Sequence, residues 1–114
     1  MRLECKSLEP GPLSEKGVGG IIDCRITDSS TPVKHLSDAY GVVELALRAL
    51  GVSTKPVFTE NENIGDSYML YKFHVIEEGV SLASIRLVTH NERPIRLVIT
   101  IDKLAMSMMG GRDK

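Results

Sequence analysis

The sequence predicts an α+β domain in which one long central helix packs against a curved antiparallel β-sheet of about five or six strands. Three observations predict it. Val33, Leu36, Tyr40, Val43, Leu47 and Leu50 recur at intervals of 3, 4, 3, 4 and 3, a single helical seam. After Gly51 the chain alternates with period two between short runs of turn residues. No helical pattern separates those later strands, which excludes a doubly wound parallel sheet.

The elements follow in order. Arg2–Leu8 alternates in part and reads as a strand. Residues 9–20 carry four glycines and two prolines and read as a flexible loop. Gly17-Val18-Gly19-Gly20 lacks the Gly-Lys-Ser/Thr ending of a phosphate cradle and precedes a strand, so it belongs to that loop. Ile21–Thr27 is β-branched and reads as the second strand. The helix has two candidate starts. One places Thr31 at the N-cap with Pro32 in the first helical position; the other is Ser37 with Asp38 in the first turn. Gly51 supplies the left-handed stop. In Val42–Leu50 only Glu44 and Arg48 are polar, four apart, so the second half of the helix is expected to be wrapped by other structure.

Lys55–Glu60 is a short strand, followed by the polar turn Asn61-Glu62-Asn63. Ser67–Glu77 is a long strand with Met69, Tyr71, Phe73 and Val75 on one face, and Tyr68, Leu70, Lys72, His74 and Ile76 on the other. Glu78-Gly79 turns the chain into Leu82–His90, and Asn91–Pro94 is a second hairpin loop. In Ile95–Ile101 the residues Ile95, Leu97, Ile99 and Ile101 face inward. Asp102 caps a last helical turn with Leu104, Met106 and Met109, and residues 110–114 fray.

Composition limits the function. The 114 residues carry 14 Lys or Arg against 15 Asp or Glu, a formal charge of −1, with 42% hydrophobic and 25% charged residues. That length fits one domain, 1–114, able to bury a core without a metal or disulfide staple. The near-zero charge speaks against nucleic acid, since Arg86, Arg93 and Arg96 are interspersed with acids such as Glu92. No apolar run approaches the ~20 residues of a membrane span, and the N-terminus has no signal-peptide core. A cytoplasmic protein with no membrane partner is expected. Cys5 and Cys24 match no zinc spacing and read as two small hydrophobes; a bridge between them requires that their strands pair. Neither a metal nor another cofactor is expected. Strands apolar on both faces point to pairing with a second copy, so a homo-oligomer is expected.

The order of strand, apolar helix and antiparallel meander resembles the hotdog fold of acyl-CoA thioesterases and dehydratases. The segment Gly65-Asp66-Ser67-Tyr68-Met69-Leu70 is similar to that family's opening of a strand by Gly-Asp, and Glu78-Gly79 to its glycine turn into the next. A cystatin-like or nuclear-transport-factor-like sheet, also one helix and a meander, is the competing architecture. The hotdog resemblance implies hydrolysis or binding of an acyl thioester at a dimer interface. His35 and Glu44, nine positions apart, match in type and spacing the His that opens the central helix in such enzymes and the acid about two turns on. Glu44 would be the base that activates water. His35 and the backbone around Leu36, Ser37 and Asp38 would bind and orient the substrate carbonyl. Leu36-Ser37 stands where the family carries paired glycines.

The alternative is a non-catalytic dimeric module that binds a protein partner or a small ligand. Ser29, Ser30 and Ser37 lie in no Gly-x-Ser-x-Gly elbow, and His74 and His90 have no metal-ligand spacing.

Overall fold

A computed structural model describes residues 1–8, 18–29, 32–52 and 54–102. Along the chain lie strands β1 (Arg2–Leu8) and β2 (Val18–Thr27), helix α1 (Leu36–Ala49), and strands β3 (Pro56–Gly65), β4 (Tyr68–Glu77), β5 (Val80–His90) and β6 (Arg93–Asp102). The strands form one antiparallel sheet in the order β1-β2-β6-β5-β4-β3. β3 to β6 are consecutive hairpins, and β2 pairs with the last of them. The helix is carried on the connection from β2 to β3 and packs on one side of the sheet, as the α+β expectation requires.

Two contacts set where the helix begins. The Val33 N–H donates to the Glu92 carbonyl at 2.6 Å, which holds the chain before the helix against the β5–β6 turn. One oxygen of the Asp38 carboxylate accepts the N–H groups of Lys34 and His35, each at 3.0 Å. The first helical residue is therefore Leu36, close to the Ser37 start; Thr31 lies outside the described residues. At the other end Gly51, at φ +84°, donates to the Arg48 carbonyl and ends the helix as expected.

The buried face of α1 is Ala39, Val42, Val43, Ala46 and Leu47, packed on Phe73, Ile85, Leu87, Leu97 and Ile99 of the sheet. Phe73 is fully buried and meets Tyr40 and Phe58 edge-on, with ring centroids 6.2 and 5.6 Å apart. Ala39 and Ala46 let the helix seat closely, so the seam is rotated from the predicted one and Leu36 is left 44% exposed. The expectation of a helix wrapped on most sides is corrected as well. One sheet covers one face, and Leu45 on the opposite face is 53% exposed.

Bulges explain the other departures. The expected turn at Asn61–Asn63 is the second half of β3. A register shift between Phe58 and Glu60 exchanges the faces along that strand. Asn61 and Asn63 consequently stand opposite Tyr71 and Met69 on the helix side, while Glu60 and Glu62 go to the outer side and meet Lys72 Nζ at 3.1 and 3.7 Å. The expected loop Asn91–Pro94 is a two-residue turn, with Asn91 and Glu92 at φ +50° and +67°. Pro94 is buried opposite Thr89, and a shift at that point leaves Ile95 beside Arg25 and Arg96 instead of facing inward.

Residues 18–20 of the expected loop belong to β2; its remainder, the last helical turn and the 110–114 tail lie outside the described residues. Cys5 and Cys24 are register partners on β1 and β2 and form a disulfide, so the reading as separate hydrophobes is corrected. Antiparallel pairing of β1 with β2 sets the two cysteines directly opposite one another, the condition a bridge required.

Candidate functional site

The helix, at ~1.5 Å per residue over its 14 residues, is about 21 Å long, against roughly 37 Å for the 11-residue β5. It cannot cover the sheet from end to end. A groove of about 560 Å³ lies between Val33-Lys34, which lead into the helix, and the ends of β3, β4 and β5. Its sheet wall is built from two helix-side cross-strand pairings, Asn61 with Tyr71 and Asn63 with Met69, continued by Thr89 opposite Met69. Ser67, Asn91 and Glu92 close the wall from the two hairpin turns, and the Asn91 N–H donates to the Ser67 carbonyl at 2.9 Å. All three of those turn residues hold positive φ without being glycine, at 63°, 50° and 67°.

Two hydroxyls in this wall belong to buried residues. Tyr71 is 7% exposed and Thr89 1%. Neither side chain has a hydrogen-bond partner among the described residues, and no fully enclosed side-chain oxygen there lacks one, so both hydroxyls keep solvent contact; both residues line the groove. Burial pushes the Tyr71 phenol above its ordinary range, and the carboxylates of Asp38 and Glu92 push it further, so it remains a protonated donor.

The residues named from the sequence are distributed around the helix. His35 is exposed in extended backbone, at φ −129° and ψ 163°, immediately before α1. Leu36 and Ser37 are exposed in the first turn. Asp38 is spent on the Lys34 and His35 amides, and these hold its carboxyl below the ordinary range. Its own N–H and that of Ala39 are directed at the His35 carbonyl, at 3.0 and 3.3 Å.

Glu44 lies 33% exposed with Arg48 Nη2 at 3.7 Å, one i,i+4 pair on the helix surface. Nine residues of helix separate it from His35, about 14 Å along the axis and half a revolution around it. One chain does not bring His35 and Glu44 to a common site, and Glu44 is not in the groove wall.

Sequence reasoning missed Tyr71, Thr89, Asn61 and Asn63 as site residues. Thr89 carried a signal, a hydroxyl continuing the inward positions of Ile85 and Leu87. The asparagines resembled turn formers until the β3 bulge turned them inward.

On the outer face Arg96 grips Asp23 with two hydrogen bonds, Nε donating to Oδ1 at 2.9 Å. Tyr68 and Ile76 on that face are each more than a third exposed. Among the described residues no group of three His, Cys, Asp or Glu side chains is arranged to hold a metal ion, and no helix is long and apolar enough to cross a membrane. Comparison with known proteins adds no family to this geometry: no family model, no curated protein and no solved structure matches the chain.

Proposed function

We propose that this chain is a non-catalytic binding module that holds a small ligand in the groove beside the start of α1. The observation that carries the reading is the pair of hydroxyls on Tyr71 and Thr89, which belong to buried residues, line that groove and have no partner among the described residues. A core position normally satisfies its polar atoms internally; these two instead keep solvent contact, which a ligand in the groove would replace. Titrating ¹⁵N-labelled protein with a fragment library tests the reading. Shifts concentrated at Met69, Tyr71, Thr89 and Asn91 are expected, and binders that consistently shift other surfaces would overturn it.

The module is expected to pair with a second copy, which would cover Tyr68 and Ile76 on the outer face. Light scattering on the eluting protein reads twice the chain mass if so and a single chain mass if not.

A second reading is hydrolysis of an acyl thioester. It is favoured by the free-standing helix start, where the Leu36 and Ser37 N–H groups face no intrahelical acceptor. Glu44 would then serve as base from a second copy, since its own chain holds it away from His35. Turnover of acyl-CoA that is lost in Glu44→Gln supports this reading; equal rates in both proteins remove Glu44 from it.

A further inference from the structure

Resting on the ligand-binding reading above, we propose that the groove selects a neutral polyhydroxylated molecule of saccharide type and disfavours anions. Three features of the wall point to that class. The first is its hydrogen-bonding inventory. Asn61, Ser67 and Asn91 each offer both a donor and an acceptor, as do the Tyr71 and Thr89 hydroxyls. A sugar hydroxyl, itself donor and acceptor, is the complementary group. Asn63 is more limited, because its Oδ1 already accepts the Gly65 N–H at 3.1 Å, leaving the amide as a donor.

The second feature is charge. Among the described residues Lys34 and Glu92 are the only charged side chains in the wall, and they offset one another. The carboxylates of Asp38 and Glu92 add to burial in raising the Tyr71 pKa, so that phenol disfavours a further negative charge beside it. The Lys34 and His35 amides, two of the donors an anion would seek beside a helix start, are already taken by the Asp38 carboxylate.

The third feature is shape and polarity together. Val33 and Met69 give apolar contact between the polar groups, as the C–H edges of a sugar ring need. The volume, about 560 Å³, lies within the range of small-molecule sites.

The test titrates wild type, Tyr71→Phe, Thr89→Val and Ser67→Ala with a panel of neutral mono- and disaccharides, and separately with coenzyme A and inorganic phosphate. Amide spectra of each variant report whether it is folded. The expected result is that at least one saccharide shifts Met69, Tyr71, Thr89 and Asn91, and that losing either buried hydroxyl weakens its binding about tenfold, the equivalent of 1.4 kcal/mol. Should Tyr71→Phe fail to fold, Thr89→Val, which keeps the side-chain shape, decides the matter. Coenzyme A or phosphate shifting those amides while the saccharides do not would overturn the ligand class and leave the groove as a site. Silence from every compound in the panel would also overturn the ligand class. The fragment titration would then decide separately whether the groove binds anything at all.

Discussion

Thr89 stands directly opposite Met69 across the β4–β5 pair, on the helix side of the sheet, with 1% of its surface exposed. The inward positions before it on β5 are the fully buried Ile85 and Leu87. No group of the described residues pairs with its hydroxyl, which keeps solvent contact, so no hydrogen bond within the fold depends on it. Thr89→Val keeps the shape and removes the hydroxyl. It is expected to leave stability unchanged or to raise it by up to about 1 kcal/mol, measured from urea unfolding at constant slope. A loss greater than that would mean the hydroxyl has a structural partner, and the binding role would go with it.

The β5–β6 turn provides a second prediction. Glu92 holds φ +67° in a tight hairpin position where glycine is the preferred residue. A non-glycine residue there costs roughly 1–2 kcal/mol, so Glu92→Gly is expected to stabilise by a good part of that. Because the Val33 contact uses the Glu92 carbonyl, the substitution retains it. A lower unfolding midpoint in Glu92→Gly would show that the side chain supports the fold.

The Cys5–Cys24 bridge joins the edge strand β1 to the sheet it meets only through β2. Closing a loop of 19 residues removes about 3 kcal/mol of unfolded-chain entropy in the loop-closure account. Reduction of wild type and the Cys5→Ser variant are both expected to lower stability by about 2–4 kcal/mol. Cys5 is exposed, so the serine buries no new polar group. A midpoint indifferent to reductant would contradict the estimate.

Two carboxylates predict the acid limb. The Arg96 side-chain hydrogen bonds lower the Asp23 pKa, and the Lys34 and His35 amides lower that of Asp38. Depressed in the folded state, both groups add stability that is present above the ordinary Asp value of about 3.9 and lost as pH falls through the lower folded values. Thermal midpoints should therefore fall below about pH 4, and fall less in Asp23→Asn and Asp38→Asn. At the alkaline end Tyr71 has the opposite displacement, raised by burial and neighbouring carboxylates. Its contribution is present below about pH 10 and lost above it, a loss that Tyr71→Phe should remove.

Regular alternation made most of the fold legible. Tyr71, Phe73 and Val75 share one face as read, because an unbroken strand has only two faces, and that face is the buried one. The helix seam was visible, but its rotation was not. Seating depends on the small residues Ala39 and Ala46 against the sheet, a tertiary matter. Where a bulge adds one residue, period-two reading fails from that point on, as it did for Asn61 and Ile95. The site suffered most, since its wall lies at two such irregularities. The disulfide was readable only conditionally, because pairing of β1 with β2 in that register cannot be deduced from two cysteines.

Affinities of the tightest groove ligand for wild type, Glu44→Gln and Thr89→Val decide between the groove and the helix surface as the binding site. The account predicts that Glu44→Gln binds as wild type does, while Thr89→Val binds about tenfold more weakly. Unaltered affinity in Thr89→Val together with lost affinity in Glu44→Gln would contradict it.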